Sequence, residues 1–195
     1  MYDNSKYFAN IADQKSQILD KEELHGVDFV LCTIHRDNNT DQPERLNAIF
    51  KALLMISESK TVVLPLHPRA SKLLNVNLEK SLFDKITNNK NIKILPPASF
   101  LDMIVLERHA QMVVTDSGGV QKEAFFFQKP CLILRSETEW TEIVECGAAV
   151  ITDANEERII ESYNKFLENP PHNYPDIFGD GNAAVFICKE MLEKL

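Results

Sequence analysis

Between Met112 and Ala124 the chain reads Met-Val-Val-Thr-Asp-Ser-Gly-Gly-Val-Gln-Lys-Glu-Ala. An apolar run ends at Thr115, two glycines follow, and a helix-forming segment opens at once. Ser117 has the side chain to cap that helix, and Gly118 and Gly119 allow a ligand to approach the backbone closely. Free N–H groups and the positive end of the helix dipole then face the same point, which makes a site for an anion and best for a phosphate. Glu123, one turn further on, could reach back to accept hydrogen bonds from ribose hydroxyls. A Ser-Gly-Gly turn is equally a capped strand-to-helix turn with no ligand. Two other clusters change the balance. His35 and Arg36, in Thr33-Ile-His-Arg-Asp-Asn-Asn39, and His67 and Arg69, in Leu64-Pro-Leu-His-Pro-Arg69, each follow an apolar run. A histidine there can donate to a phosphate oxygen and stabilise a departing nucleotide, or it can be a satisfied structural residue.

These clusters need a frame that brings them to one edge. Strands are predicted at Phe29–Ile34, Thr61–Leu66, Ile92–Leu95, Met112–Thr115, Cys131–Leu134 and Ala148–Ile151. Most are apolar almost throughout, as strands covered on both faces must be. Between them lie segments of helical period. Asp41 with Glu44, Asp153 with Glu156, and Ser99 with Asp102 have capping-box spacing. The first leads into a stripe of Leu46, Ile49, Phe50, Leu53 and Leu54, the second into Ile159, Ile160, Tyr163, Phe166 and Leu167. Alternating strands and helices give right-handed crossovers and a doubly wound α/β sheet of about six parallel strands in three α/β/α layers. Ligands of such sheets bind beyond the carboxyl ends of the strands, where all three clusters fall. Residues 1–25 are polar and read as a helical connecting arm, 26–180 as the Rossmann-like domain, and 181–195 as a closing helix that packs back on it. That helix, starting near Asp180, puts Ala184, Ile187, Met191, Leu192 and Leu195 on one side.

The remaining composition narrows the function classes. The chain has 195 residues, 44% hydrophobic and 26% charged, with 21 basic against 29 acidic side chains. A net charge of −8 argues against general attraction to nucleic acid or an anionic membrane. The six glycines fit neither G-x-G-x-x-G nor G-x-x-x-x-G-K, which excludes the dinucleotide fingerprint and the P-loop. Cys32, Cys131, Cys146 and Cys188 form no C-x-x-C pair, so neither a zinc site nor a disulfide framework is expected. His25, His109 and His172 lack partners at metal-ligand spacing, and no metal or redox cofactor is expected. Trp140 could line the pocket or be packing; Glu137, Glu139 and Glu142 are too scattered for an acid/base pair. With no signal peptide or membrane-length apolar run, the expectation is a soluble cytoplasmic protein.

Taken together, His35-Arg-Asp-Asn-Asn-Thr-Asp-Gln-Pro-Glu-Arg-Leu46, Leu66-His-Pro68, Thr115-Asp-Ser-Gly-Gly-Val-Gln-Lys-Glu-Ala124, Leu134-Arg135 with Thr138-Glu-Trp140, and Phe178-Gly-Asp-Gly181 resemble the non-hydrolysing UDP-N-acetylglucosamine 2-epimerases. The resemblance implies the C-terminal half of a GT-B type fold, whose two Rossmann-like domains clasp a nucleotide sugar. It implies UDP as ligand, with Ser117, Gly118 and Gly119 at the diphosphate, Glu123 at the ribose, His35 near the phosphates as the catalytic candidate, and Arg36 and His67 facing the same site. The segment from Pro97 through Phe100 to Met103 would lie beside the uracil.

The implied reaction inverts C2 of the sugar by anti elimination of UDP and its re-addition. The family's proton-transfer carboxylates and N-terminal arginine motif belong to a domain with no counterpart here, so this chain is expected to be inactive alone and to need that domain as a partner. Departures are Asn38 for an acid, Thr141 for Pro and Met103 for an aromatic, the last of which loosens the uracil packing. Other readings consistent with the residues are a non-catalytic nucleotide-sugar-binding or assembly module and half of a GT-B glycosyltransferase; cleft surface left uncovered by the missing domain would favour self-association as a homo-oligomer.

Overall fold

The computed structural model describes residues 1–194. Its helices are α1 (Tyr2–Lys15), α2 (Ile18–Lys21), α3 (Asp37–Thr40), α4 (Pro43–Ile56), α5 (Pro68–Asn77), α6 (Lys80–Thr87), α7 (Phe100–His109), α8 (Gly118–Phe126), α9 (Thr141–Glu145), α10 (Glu156–Glu168) and α11 (Ala183–Glu193). The strands are β1 (Phe29–Thr33), β2 (Thr61–Pro65), β3 (Ile92–Leu95), β4 (Met112–Thr115), β5 (Cys131–Ile133) and β6 (Ala149–Ile151). All six expected strands form, with ends within one residue of those read from the sequence.

The strands make one parallel sheet in the order β3-β2-β1-β4-β5-β6. Chain order therefore reverses between β1 and β4, the switch point at which such sheets open a crevice. The reason these strands are apolar over most of their length is plain in the packing. Val30 and Cys32 of β1 and Met112 and Val114 of β4 face the layer of α4, α5, α6 and α10. Phe29 and Leu31 of β1 and Val113 of β4 face the layer of α1, α2, α7, α8 and α9. Both sides of the sheet are thus sealed, and only the strand ends are open to a ligand. On α4 the expected stripe is buried at Leu46, Ile49, Phe50 and Leu53, and on α10 at Ile159, Tyr163 and Phe166.

Three expectations about local structure are corrected. Two of the capping boxes are not formed. Asp41 is taken up by Arg69, and α4 starts without a side-chain cap at Gln42, with Pro43 in its first turn. Asp153 is taken up by Arg45, and Asn155 caps α10 by accepting from the N–H of Arg158 at 2.9 Å. The Ser99 cap of α7 is present, its hydroxyl accepting from Asp102 N–H at 3.2 Å.

The N-terminal segment, read as a helical connecting arm, is helical but contributes to the core. Ser5, Ala9 and Ala12 line one face of α1 and are buried, and their small side chains let α1 lie close on α7. Ser16 donates to Asp102 at 2.5 Å, Arg108 to Asp13 at 2.5 Å, and Leu19 and Leu24 complete the core on that side.

The closing helix does not pack back. α11 begins at Ala183 rather than near Asp180, none of its residues is buried, and Val185, Phe186, Ile187, Met191 and Leu192 are exposed. Its tie to the domain runs through Asp3, which accepts from Ala184 N–H at 3.2 Å. Its stripe is apolar, but no surface within the described residues stands opposite it; Leu195, assigned to the same stripe, lies outside them. Among the described residues no helix is long and apolar enough to cross a membrane.

Candidate functional site

The switch-point crevice is built on a buried carboxylate. Asp116, fully buried at the end of β4, accepts from His35 N–H at 3.1 and 3.2 Å, Arg36 N–H at 3.0 Å and Asn39 Nδ2 at 3.1 Å. His35 Nδ1 lies 3.0 Å from the same carboxylate. With a carboxylate as acceptor, Nδ1 carries the hydrogen and Nε2 is left for the crevice. This hydrogen bond to Asp116 raises the pKa of His35 above its ordinary value, against an opposing effect of partial burial. The ends of β1 and β4 are tied by Thr33 Oγ1 and Thr115 Oγ1 at 2.6 Å, and Thr115 Oγ1 also accepts from Ser117 N–H at 2.9 Å.

The Ser-Gly-Gly turn then starts α8. Ser117 is its N-cap, its hydroxyl 3.5 Å from Val120 N–H. The N–H groups of Gly118 and Gly119 have no acceptor among the described residues. They are first-turn donors at a helix end, the arrangement that holds a phosphate. Trp140 has a defined part here. Its Nε1 donates to Gly118 O at 2.8 Å, and its ring and that of Phe178 flank Lys122 Nζ at 4.0 and 4.2 Å. A Cβ at Gly118 would stand 3.5 Å from both Glu139 Oε2 and Trp140 Nε1. Arg135 forms a bidentate pair with Glu139 at 2.7 and 2.8 Å, which holds the Glu139 carboxyl down at about 2.

His35, Ser117, His67 and Met103 share one cleft with Thr33, Pro97 and Val120, so four of the site residues read from the sequence converge. His67 also caps α5, its Nδ1 accepting from Arg69 N–H at 3.4 Å. Others do not converge. Phe100 is exposed and turned onto Phe8 of α1, ring centroids 5.2 Å apart, so it is not a cleft residue. Arg36 supplies its backbone N–H to Asp116 while its side chain lies exposed outside the cleft lining. Arg69 is occupied by Asp37 and Asp41. Glu123 is half-buried near Ser5 of α1 and outside the cleft lining; burial pushes its pKa up.

Asp116, Asn39 and the Arg135–Glu139 pair carry the frame of the site, and no role was read for them from the sequence. The signal for Asp116 is its place between Thr115 and Ser117, an acid directly after a fully buried strand. Among the described residues no group of three or more His, Cys, Asp or Glu is placed to hold a metal ion.

Residues 1–192 match the family described as UDP-N-acetylglucosamine 2-epimerase. The chain is 40% identical, over its whole length, to 53% of a UDP-N-acetylglucosamine 2-epimerase homolog of Methanococcus maripaludis. It is 37% identical, again over its whole length, to 51% of the UDP-2,3-diacetamido-2,3-dideoxy-D-glucuronate 2-epimerase of Pseudomonas aeruginosa. The structure of the Methanocaldococcus jannaschii UDP-GlcNAc 2-epimerase in complex with UDP-GlcNAc and UDP superposes with a TM-score of 0.84 at 33% identity, over 98% of this chain and 52% of that one. The chain thus spans about half the length of the curated relatives it matches. From its sequence, its fold and the residues gathered at the switch point, the chain belongs to the UDP-N-acetylglucosamine 2-epimerase family.

Proposed function

We propose that this chain is the UDP-binding half of a nucleotide-sugar 2-epimerase, competent in catalysis only when joined to the half that carries the proton-transfer carboxylates. The observation that carries the reading is the Ser117-Gly118-Gly119 turn, with two unpartnered N–H groups, beside a histidine already hydrogen-bonded to a buried aspartate. A diphosphate needs both features: backbone donors and a dipole on one side, and a cation that strengthens its hold as negative charge develops.

In this reading Gly118 and Gly119 N–H and the Ser117 hydroxyl bind the diphosphate. His35 Nε2–H donates to it as the C1–O bond breaks, while a carboxylate of the other half takes the C2 proton and the C1–C2 double bond forms. Re-addition of UDP with protonation from the opposite face gives the epimer. Met103 and Pro97 stand beside the base, and Glu123 reaches the ribose if its side chain turns from α1. Relatives named for different sugars share UDP and the 2-epimerase name, which supports UDP as the part recognised by this half.

The test is turnover. Incubated with UDP-GlcNAc in deuterated water, the purified 195-residue chain is expected to produce no UDP-ManNAc and to incorporate no deuterium at C2. Either product from this chain alone overturns the division of labour.

A further inference from the structure

Behind His35 the polar contacts continue, away from the cleft and across the top of the sheet. Asn39 is 1% exposed and uses its amide in two directions. Its Nδ2 donates to Asp116 Oδ2 at 3.1 Å and to Leu134 O, just beyond β5, at 2.9 Å. Its Oδ1 accepts from Arg45 of α4, at 3.1 Å from Nε and 3.0 Å from Nη2. Arg45 in turn reaches Asp153, just beyond β6, at 2.5 and 3.3 Å. Asp116 and Leu134 O are both acceptors and select the nitrogen end of the amide; Arg45, which can only donate, anchors the oxygen end that is left. Without Arg45 the Asn39 Oδ1 is left buried with no donor, and the amide that holds Asp116 is less firmly fixed.

We infer that Asn39, Arg45 and Asp153 form a positioning relay that holds Asp116, and through it His35, in the orientation used at the cleft. None of the three lines that cleft, so they act through Asp116 and not on a ligand. The relay explains why Asp153 and Arg45 pair across more than one hundred residues of sequence, where Asp153 could have capped α10. It also explains why an amide is fully buried within a four-residue helix: Asn39 supplies one of the donors that keep the Asp116 carboxylate satisfied and still. A carboxylate one donor short draws harder on the Nδ1 hydrogen of His35, so the imidazolium is favoured while its direction is less well fixed.

The other charged groups around this point are not altered by changing the relay. They are Arg36 and Asp37 on the segment of His35, His67 and Arg69 across the cleft, Arg135, Glu137 and Glu139 on the loop after β5, and Arg158 of α10 beside Asp153.

The experiment has two readouts, one of which does not depend on the nucleotide. The His35 imidazole titration is followed by NMR in the ligand-free chain, assigned by comparison with His35→Gln, for wild type, Asn39→Leu and Arg45→Met. UDP affinity is measured on the same three proteins; only this second readout rests on the function proposed above. Asn39→Leu is expected to raise the His35 midpoint by about half a pH unit and to weaken UDP about tenfold. Arg45→Met, on the more exposed end of the relay, is expected to move both in the same directions by less, and it carries the test if Asn39→Leu does not fold. A higher fraction of imidazolium with weaker binding is a combination that simple loss of packing would not produce. An unchanged midpoint, whatever the affinity does, overturns the relay. A shifted midpoint in a chain whose wild type binds no UDP upholds the relay and overturns the nucleotide reading.

Discussion

Asp116→Asn is expected to cost about 2–5 kcal/mol of stability and to lower UDP affinity at least 100-fold. The reason lies in the count of donors. Two backbone N–H groups, the Asn39 amide and His35 Nδ1 converge on one fully buried carboxylate. An Asn side chain offers a single acceptor oxygen, and its NH2 would face groups that are themselves donors. At least one buried N–H is orphaned. His35 escapes a clash only by moving its hydrogen to Nε2 and accepting at Nδ1, which leaves a neutral ring. Urea unfolding measures the first effect and calorimetric titration of UDP the second. A variant less destabilised than about 0.5 kcal/mol would show that the carboxylate is not what holds the loop.

The second large effect is in pH. His35 has a raised pKa because its Nδ1–H is held by Asp116, so the imidazolium persists above the ordinary histidine value of about 6.5. The contribution of the His35–Asp116 pair to stability is fully present below the unfolded pKa and is lost as pH rises through the folded one. The same holds for ligand affinity: UDP binding is expected to be tight at and below about pH 6.5 and to weaken as pH rises through the raised pKa. The ligand's own ionisation contributes to the profile, but equally in His35→Gln. That variant is expected to bind roughly 10- to 100-fold more weakly at the acid end, the worth of one charge-assisted hydrogen bond, and to converge with wild type at alkaline pH. Parallel profiles would mean that His35 does not meet the diphosphate.

The sheet was legible in the sequence for a physical reason. Each strand alternates between two sealed layers, so Phe29 to Thr33 and Met112 to Thr115 are buried at every position and read as unbroken apolar runs between polar turns. The strand ends, and with them His35, His67, Ser117 and the two glycines, came with the strands. What was hidden depends on contacts distant in sequence. Asp116 looks like a solvated turn residue until His35, 81 positions away, is set beside it. Asp41 and Asp153 have the spacing of caps, and only the fold brings Arg69 and Arg45 to claim them. The N-terminal helix reads as polar because Ser5, Ala9 and Ala12 give it a face suited to close approach but weak in hydrophobicity. Phe100 follows the same logic in reverse: the aromatic nearest the expected base site is drawn to Phe8 on that helix.

The claim on which the rest depends is that the β1–β4 crevice of this chain binds UDP. It is tested most directly by isothermal titration of UDP into the purified chain and into a variant carrying Ser117→Ala and His35→Gln together. The account predicts saturable heat with the wild-type chain and none with the variant. No heat with the wild-type chain, or binding undiminished in the variant, would contradict it.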